Sequence, residues 1–580
     1  METFQRISDI LNSIVWGTGI PVGEEKIPVV VIALLGTGLF LSFRLGFIQI
    51  RRLLHGFAVT SGKYDDPDEP GDVSHFQALT TALSATVGIG NIAGVAIAIH
   101  WGGPGSLFWM WATAILGMAT KFSEVTLAQK YRNLEKPDLD PKRWEGSVSG
   151  GPMYYIERGL GPSWKPLAVL FAGILGVTAF LTGNAIQANT VADTMDTFLG
   201  IPVWVTGLVT TTLVAAVILG GISRIGRVTG ILAPMMAAIY VFGAMAIILM
   251  RFDQIIPTFE LIFREAFNPT AGVAGTGTGA AVVTMMWGVR RGLFSNEAGQ
   301  GSAPIAHAAA KTDEPVSEGV VALVEPFVDT IVICTMTALV VIMTGVWSEK
   351  HPTDLDLSSG DLTYLQLDTE TGRYHEVASP PAQIALHDGE VAEGGVIVGW
   401  HEAPVSPLYA DAGRTRLFTG SIETAQKTAV AADGRSQATL YGDAVETAAP
   451  LTMLGFEAGL GNFGKYIVVL SVFLFAVSTA ISWSYYGDRC ANYLFGSRMV
   501  LPYKMAFVAM HFIGAVLPLT TVWELGDIFL GIVIIPNLLA LLLLSGKIRQ
   551  MATSYFQRKP WIDNAAVHRR IVEARRSGKR

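Results

Sequence analysis

The amino-acid sequence predicts an all-α polytopic membrane protein. The chain of 580 residues is 51% hydrophobic and only 15% charged, and its mean hydropathy is +0.43. Soluble domains are roughly a quarter charged, so this chain has too few charges for a surface exposed to water. It also contains many apolar stretches of about 17 residues or more, the length that crosses a bilayer. These observations exclude a soluble enzyme, a nucleic-acid-binding protein and a secreted scaffold held by disulfides.

The long apolar stretches predict eleven transmembrane helices. They lie at residues 27–43, 76–100, 105–128, 166–192, 202–222, 228–250, 279–309, 317–347, 464–486, 503–519 and 525–546. Cys334 and Cys490 lie in or beside these stretches, so we expect no disulfide framework. Residues 1–26 lack the basic, apolar and cleavage pattern of a signal peptide.

Lysine and arginine residues predict the orientation of these helices. The connecting segments alternate between two sides of the membrane; one side holds 26 Lys and Arg residues and the other holds 10. The basic side comprises residues 44–75, 129–165, 223–227, 310–316, 487–502 and 547–580. Because basic segments stay in the cytoplasm, we expect the N-terminus outside and the C-terminus inside, in the plasma (inner) membrane.

One long connecting segment, residues 348–450, differs in composition from the rest. It holds 16 acidic and 6 basic residues, and short alternating runs at 363–367 and 396–398 predict strands. We therefore expect a small β-rich extracytoplasmic insertion. Closing a longer loop costs little extra free energy, so the insertion is either a decoration or a part with a role in gating or partner contact.

When the first helix is set apart, the other ten form two groups of five. Five helices cross the bilayer an odd number of times, so the two groups run in opposite directions. The predicted units are an N-terminal segment at 1–75, a first repeat at 76–250, a second repeat at 279–347 and 464–546, and a basic tail at 547–580. This arrangement is a 5+5 inverted repeat with one extra N-terminal helix.

Each group begins with a helix that glycines and polar residues interrupt at mid-depth, within 80–94 and within 287–302. Glycine lets the backbone leave the helix, and the freed polar groups persist in a membrane only where they line a cavity. Amides that start a half-helix attract an anion, and the carbonyls before the break attract a small cation. Interrupted helices in matching positions therefore predict a transporter that binds an amino acid through its carboxylate, together with Na⁺.

Hydroxyl and amide side chains in these helices have two interpretations each. Ser478, Thr479 and Ser482 contact a substrate or ion, or they bond to their own helix backbone. Gln77, at the start of the first interrupted helix, either caps that helix or contacts substrate. Asn184, Gln187 and Asn189 either bond between helices or bind substrate.

Charged side chains at this depth are costly and need partners. We expect Glu297 to form an ion pair with Arg290 or Arg291, in preference to acting as a proton relay. The roles of Glu325, Asp329 and His307 stay open at this point. The sequence contains no motif for a metalloprotease, a nucleotide-binding loop or a Ser-His-Asp triad, so we expect no enzyme activity.

Four motifs in order resemble the signature of the alanine/glycine:cation symporter family. They are FQAL at 76–79 with GIGNIAGVA at 88–96, GGPG at 102–105 with FWMW at 108–111, FSNEAG at 294–299, and WSYYG at 483–487. The likeness covers the chain except about 348–450, where members usually have a short connection. Several members have Gly-Thr-Gly-Asn where this chain has Gly88-Ile89-Gly90-Asn91, a difference that leaves the backbone geometry intact.

The family is similar to the leucine-transporter (LeuT) fold of 5+5 inverted repeats. The resemblance implies Na⁺-coupled uptake of alanine or glycine by alternating access. It places the substrate carboxylate at Gly88 and Gly90. The other substrate-binding residues that it implies are Gln77, Asn296, Thr479 and Trp483. Asn91, Glu297 and Arg291 are candidates for a structural or coupling role.

The wider fold implies a sodium ion as the co-transported cofactor. The ion would lie between the carbonyls of Ser84 and Val87 and the hydroxyls of Ser478 and Thr479. The expected partners are an alanine or glycine substrate and membrane lipid, without nucleic acid, for a protein that we expect to be a monomer.

Three other functions remain possible on the sequence alone. The first is proton-coupled uptake with Glu297, Glu325 or Asp329 as the carrier. The second is an amino-acid sensor that binds its ligand with the outer insertion. A channel is the third, but a channel needs a continuous polar pore and no inverted, interrupted helices.

Overall fold

The computed structural model describes most of the chain and consists mainly of helices. It describes residues 10–22, 25–66, 69–134, 148–269, 278–358, 362–367, 374–377, 379–391, 395–517 and 519–576. The last four residues of the basic tail lie outside the described residues.

The N-terminal half contains eleven labelled helices. They are α1 (Val29–Arg44), α2 (Ile48–Thr60), α3 (His75–Thr86), α4 (Val95–Gly102), α5 (Ser106–Tyr131), α6 (Pro152–Leu160), α7 (Lys165–Phe180), α8 (Ile186–Leu199), α9 (Val203–Ile218), α10 (Gly221–Met250) and α11 (Ile255–Glu265). Two segments of π-helix interrupt this half, Gly90–Gly94 before α4 and Leu181–Ala185 between α7 and α8. Short 3₁₀ turns lie at Pro162–Trp164 and Phe252–Gln254.

The C-terminal half contains ten labelled helices. They are α12 (Thr278–Asn296), α13 (Ala303–His307), α14 (Pro315–Ala322), α15 (Val324–Pro326), α16 (Thr335–Thr344), α17 (Ala448–Leu460), α18 (Asn462–Phe495), α19 (Val500–Val516), α20 (Leu519–Arg558) and α21 (Trp561–Arg576). A third π-helical segment, Phe327–Cys334, joins α15 to α16, and a 3₁₀ turn at Ser497–Met499 precedes α19.

Every predicted apolar stretch coincides with one or more of these helices. Among the described residues, six helices are long and apolar enough to cross a membrane, or up to eight if each of two bent pairs counts as one span. The chain is therefore a multi-pass membrane protein, and the count of eleven spans stays a prediction. Hydropathy did not predict α2, α6, α11, α17 and α21 because these helices are short, amphipathic or polar.

The segment between α16 and α17 forms the small antiparallel sheets that the sequence predicts. Its strands are β5 (His351–Asp356), β6 (Leu362–Leu367), β7 (Tyr374–Glu376), β8 (Gln383–His387), β9 (Glu390–Val391), β10 (Ile397–Trp400), β11 (Ala403–Pro404), β12 (Gly420–Glu423), β13 (Thr428–Ala431), β14 (Ser436–Gln437) and β15 (Thr439–Ala444). They form a four-stranded sheet in the order β11-β10-β6-β7, a five-stranded sheet in the order β14-β13-β12-β8-β9, and the pair β15-β5. Two further strand pairs lie among the helices, β1 (Gly19–Val22) with β2 (Glu25–Pro28) and β3 (Asn133–Leu134) with β4 (Val148–Ser149).

The β5–β15 pair joins the insertion to the helical part. These strands pair from His351 opposite Ala444 to Asp356 opposite Thr439, so the two chain connections to the insertion run side by side. The sheets enclose a separate apolar core that includes Leu355, Leu440 and Phe418. The insertion therefore has its own core beside that of the helices.

Helix α18 lies at the centre of the helical part. It packs against α3, α7, α8, α10, α17 and α19, and nearly all of its residues from 475 to 491 are buried. Because α18 contacts both halves of the chain, its polar side chains meet both interrupted helices.

Candidate functional site

The first interrupted helix is broken as predicted. Helix α3 ends at Thr86, and its axis makes an angle of 53° with the helical segment that begins at Gly90. The backbone N–H of Gly88 donates to Oδ1 of Asn91 at 2.8 Å, so this side chain caps the second half of the helix. Gly88, Gly90 and Asn91 are all buried. The break is therefore held within the protein and does not face lipid.

The second interrupted helix is also broken. Helix α12 ends at Asn296, and the chain then passes through left-handed backbone conformations at Glu297 (φ 55°), Gly299 (φ 91°) and Gly301 (φ 80°) before α13 begins. Glycine adopts this conformation at little cost, whereas Glu297 does so only because its surroundings hold it there. Both predicted breaks are thus confirmed.

A cluster of polar side chains connects the two breaks. Asn91 Nδ2 donates to Asp329 Oδ1 at 2.7 Å and to Ser295 Oγ at 3.1 Å. The hydroxyls of Ser295 and Thr330 both donate to Asp329 Oδ2 at 2.7 Å. We call Asn91, Ser295, Asp329 and Thr330 the Asp329 cluster. Sequence reasoning named Asp329 but not these contacts; the only signal was a carboxylate in an apolar stretch.

The side chains predicted to hold sodium lie together. The carbonyl oxygen of Ser84, near the end of α3, accepts from Thr479 Oγ1 at 3.1 Å and from Ser478 Oγ at 3.4 Å. The Ser478 hydroxyl also lies 2.9 Å from the carbonyl of Phe475. Within the described ranges, no hydrogen bond joins Val87 to either hydroxyl. Carbonyl and hydroxyl oxygens suit a small hard cation, so Ser84, Ser478 and Thr479 fit a sodium ion.

Thr479 also lies directly against the first break. A Cβ atom at Gly88 would lie 2.5 Å from Thr479 Oγ1 and 3.4 Å from Gln187 Oε1. Gln187 also accepts from the N–H of Ile89 at a long 3.5 Å, and its amide nitrogen donates to the carbonyl of Thr182 at 3.1 Å. Thus Gln187, whose role the sequence left open, reaches the first break from the start of α8.

Trp483 lies at the second break. Its indole N–H donates to Glu297 Oε1 at 2.9 Å, and a Cβ atom at Gly183 would lie only 2.1 Å from its ring. Ser302 donates to the other carboxylate oxygen of Glu297. The fully buried indole is therefore held between the π-helical segment Leu181–Ala185 and the second break.

The prediction that Glu297 forms an ion pair with Arg290 or Arg291 is wrong. Both guanidinium groups pair with Asp527 Oδ2 of α20, at 2.6 Å from Arg290 and 2.5 Å from Arg291. The arginines lie on α12 before the break, whereas Glu297 lies beyond its end, so proximity in sequence did not bring the charges together. Arg291 is thus a link from α12 to α20.

The remaining predicted site residues have local structural contacts. Gln77 forms a capping box with Ser74 at the start of α3, so the structure does not bring it to either break. Asn296 accepts from the N–H of Ala298 at 3.0 Å and donates to Thr330 Oγ1 at 3.3 Å, which places it beside the Asp329 cluster. Asn184 and Asn189 donate to backbone carbonyls of Phe507, Gly514 and Leu517, at or just beyond α19.

A chain of buried charged side chains runs beside the second break. Lys121 Nζ lies 2.9 Å from Glu325 Oε1, and Glu325 Oε2 lies 3.6 Å from His307 Nε2. His307 Nδ1 lies 2.5 Å from Glu318 Oε1, and the other oxygen of Glu318 contacts His75. We call these five residues the buried ion chain. It joins α3, α5, α13, α14 and α15, and sequence reasoning did not single out Lys121, Glu318 or His75.

Comparison with known proteins identifies a family whose sequence model matches most of the chain. The sequence model of the sodium:alanine symporter family matches residues 1–376 and 424–568. The unmatched stretch between these two segments, 377–423, is shorter than the 348–450 segment that the motif resemblance left uncovered.

Individual relatives extend over nearly the whole chain. The sodium/alanine symporter AgcS of Methanococcus maripaludis is 39% identical over 545 residues, 94% of this chain and 95% of that protein. A Bacillus subtilis protein named as a putative sodium/proton-dependent alanine carrier, YrbD, is 32% identical over 540 residues, 92% of this chain and 89% of the relative. A probable sodium/glutamine symporter of the same organism, GlnT, is 29% identical over 565 residues, 96% of this chain and 92% of the relative.

Proposed function

The chain belongs to the sodium:alanine symporter family, and from that premise we propose that it couples sodium entry to uptake of alanine or glycine by alternating access. The observation that carries this proposal is the meeting of two broken helices with α18, where Ser84, Thr479 and Gly88 are in contact. We also propose the LeuT-like inverted repeat and the orientation with the C-terminus in the cytoplasm. The positive-inside distribution of Lys and Arg supports that orientation.

The amino-acid site lies between the breaks in this proposal. The substrate carboxylate would replace Asn91 and Gln187 as acceptor of the amides of Gly88 and Ile89, because a helix N-terminus carries partial positive charge. Trp483 bounds the other side, next to Glu297. A rigid buried indole leaves room for a hydrogen or methyl side chain, which supports glycine and alanine over larger amino acids.

Two sets of oxygen atoms support cation binding. The first set is Ser84, Ser478 and Thr479, three of the four residues of the predicted sodium site, whose fourth is Val87. The Asp329 cluster is a second candidate: the buried carboxylate accepts from neutral donors, and no Lys, Arg or His in the described part of the chain forms an ion pair with it. An unpaired buried carboxylate is costly, and a bound cation would balance it.

Proton coupling is the second candidate function, and the buried ion chain favours it. The buried ion chain contains two histidines and two carboxylates between the second break and one end of α3. The two nitrogens of His307 lie 2.5 Å from Glu318 and 3.6 Å from Glu325. Such side chains can carry protons through a membrane protein.

Transport by the purified protein distinguishes these functions. We expect radiolabelled alanine to accumulate in proteoliposomes when a Na⁺ gradient is imposed at equal pH on both sides, and not when K⁺ replaces Na⁺. Accumulation driven by a pH gradient without Na⁺ would replace sodium coupling with proton coupling. Unlabelled glycine, alanine and glutamine as competitors would then define the substrate range.

A further inference from the structure

A cavity lined by arginines lies where α1, α2 and α20 meet. Its volume is about 390 Å³, and Arg44, Arg51, Arg52 and Arg549 line it together with apolar residues. We call this site the arginine pocket. It lies outside the breaks and contains none of the residues placed in the transport site. Arg44, Arg51 and Arg549 are exposed, and Arg52 is half-buried.

Four positive charges line the arginine pocket. Within the ranges that the structure describes, none of its four arginines forms an ion pair with a carboxylate. Arg51 donates to the carbonyl of Gly46 at 3.3 Å, and the guanidinium of Arg52 lies 4.0 Å from the centre of the Phe556 ring. Positive charges that line one cavity repel one another, so this site favours an anion.

The bend between α1 and α2 supports a position of the pocket at the edge of the membrane. The two helices are bent by 79° relative to one another, and Gln49 at the start of α2 donates to Ser42 of α1 at 2.7 Å across this corner. His55 in α2 also hydrogen-bonds to Tyr555 of α20 at 3.1 Å. Helix α2 is therefore held across the end of α1, as expected for a helix that lies in the membrane interface.

Large exposed apolar side chains lie in and near the pocket: Phe43 lines it, and Ile50 and Leu54 belong to helix α2, whose Ile48, Arg51 and Arg52 line it. Phe43 is 64% exposed, Ile50 is 73% exposed and Leu54 is 83% exposed. Side chains of this kind are stable next to hydrocarbon, whereas the neighbouring guanidinium groups are stable next to headgroups. Arginines next to exposed apolar side chains favour a ligand that has both an anionic group and a hydrocarbon part.

We propose that the arginine pocket binds the phosphate of an anionic phospholipid headgroup. Guanidinium groups bind phosphate oxygens through paired hydrogen bonds, and basic pockets between membrane helices are suited to such headgroups. The lipid would bridge α2 and the end of α20, while its acyl chains extend along Phe43. Free phosphate has the same anionic chemistry, but it would make no use of the exposed apolar side chains.

Lipid binding to the full-length protein tests this proposal. Binding of labelled phosphatidylglycerol is measured in phosphatidylcholine nanodiscs for the unaltered protein and for the double variant Arg51→Gln, Arg549→Gln. A matched control, Arg569→Gln with Arg570→Gln, removes the same charge from exposed arginines of α21. We expect about tenfold or greater weakening in the pocket variant, the effect of losing a hydrogen bond to a charged group, and less than twofold in the control.

The other outcomes would overturn the proposal. Equal binding by all three proteins would mean that the pocket holds no lipid, and equal loss in both variants would mean attraction to surface charge alone. Displacement of the lipid by millimolar inorganic phosphate would assign the pocket to a free anion instead. The variant Arg51→Lys, Arg549→Lys guards against misfolding: it keeps the charge but loses the paired donors, so we expect binding between that of the unaltered protein and the Gln variant.

Discussion

The indole N–H of Trp483 donates to the carboxylate of Glu297, a residue 186 positions earlier in the chain, at 2.9 Å. Trp483 belongs to a continuous helix, α18, whereas Glu297 lies in the left-handed turn that ends α12. This bond fixes the orientation of the indole and satisfies one oxygen of a buried carboxylate. The size limit of the proposed pocket and the geometry of the second break therefore depend on the same contact.

Replacing Trp483 with Ala should widen the substrate range. Loss of the ring leaves space beside Gly183, so we expect uptake of valine and leucine to rise relative to alanine. Trp483→Phe keeps an aromatic ring but loses the donor to Glu297, so it should keep more of the size limit. Uptake competition among glycine, alanine, valine and leucine measures both effects. Unchanged selectivity in both variants would remove Trp483 from the substrate pocket.

Replacing Thr479 with Ala should weaken sodium dependence. A hydrogen-bond-like contact to a charged group contributes roughly 1.5–3 kcal/mol, so the Na⁺ concentration for half-maximal alanine uptake should rise about ten- to hundredfold. Thr479→Ser keeps the oxygen and should cost far less. Ser471→Ala is a matched control, because that hydroxyl of α18 bonds only to the carbonyl of Ile467 among its described contacts. Coincident sodium curves for Thr479→Ala and the control would contradict the assignment.

Removing one partner of the Lys121–Glu325 pair should destabilise the protein strongly. Both side chains are fully buried, and an unpaired buried charge costs about 3–5 kcal/mol. Lys121→Met and Glu325→Gln should each lower the unfolding temperature in detergent, and the double variant should recover part of the loss. Additive losses in the double variant would show that the two side chains do not stabilise one another.

Removing the outer sheets should leave sodium-driven uptake largely intact. Because Asp356 lies opposite Thr439, residues 357–438 can be replaced by an Asn-Gly turn that closes the β5–β15 hairpin. The deletion would expose the side chains of Leu355 and Leu440 to water, so both residues should be changed to Thr. Alanine uptake by the folded deletion, compared with the full chain, measures the result. Loss of uptake would instead give the insertion a gating role and would weaken the view that it is a decoration.

The insertion should become less stable as the pH rises from about 4.5 to 7. Burial, aided by the negative charge of Glu376, raises the pKa of Glu402 from 4.5 to about 7. The stabilisation from its protonated form is complete below pH 4.5 and is lost as the pH passes the folded pKa. Hydrogen exchange at the β10–β11 turn, corrected for the intrinsic pH effect, should show this trend. The same trend in Glu402→Gln would assign it to another group.

The sequence was sufficient to predict features that depend on local composition. Glycines at 88, 90, 299 and 301 interrupt apolar stretches. Gly299 and Gly301 adopt left-handed conformations, whereas a Cβ atom at Gly88 or Gly90 would lie too close to Thr479 or Phe294. Alternation of apolar and polar residues likewise predicted strands in the insertion. The hydroxyls of Ser478 and Thr479 were placed near Ser84 through the family resemblance, and the structure brings them together.

Contacts between distant segments could not be predicted in this way. Asp329 contacts Asn91 because the π-helical segment Phe327–Cys334 packs against the first break. A single sequence contains no signal from which this contact could be predicted. The partner of Glu297 was mispredicted because the nearest arginines lie on the opposite side of a helix end. Side-chain charge indicates that a partner is needed, but the fold determines which residue provides it.

The helices that carry the buried ion chain determine which parts of the protein can slide past one another. Parting Lys121 from Glu325 inside the protein would leave two charges unpaired, whereas parting the Thr479 hydroxyl from the Ser84 carbonyl loses about 1 kcal/mol. A conformational change of low cost would therefore keep α3, α5, α13, α14 and α15 together. We expect movement to occur between these helices and α18, where the oxygen atoms proposed to hold sodium meet. A bound ion would then hold the two parts together.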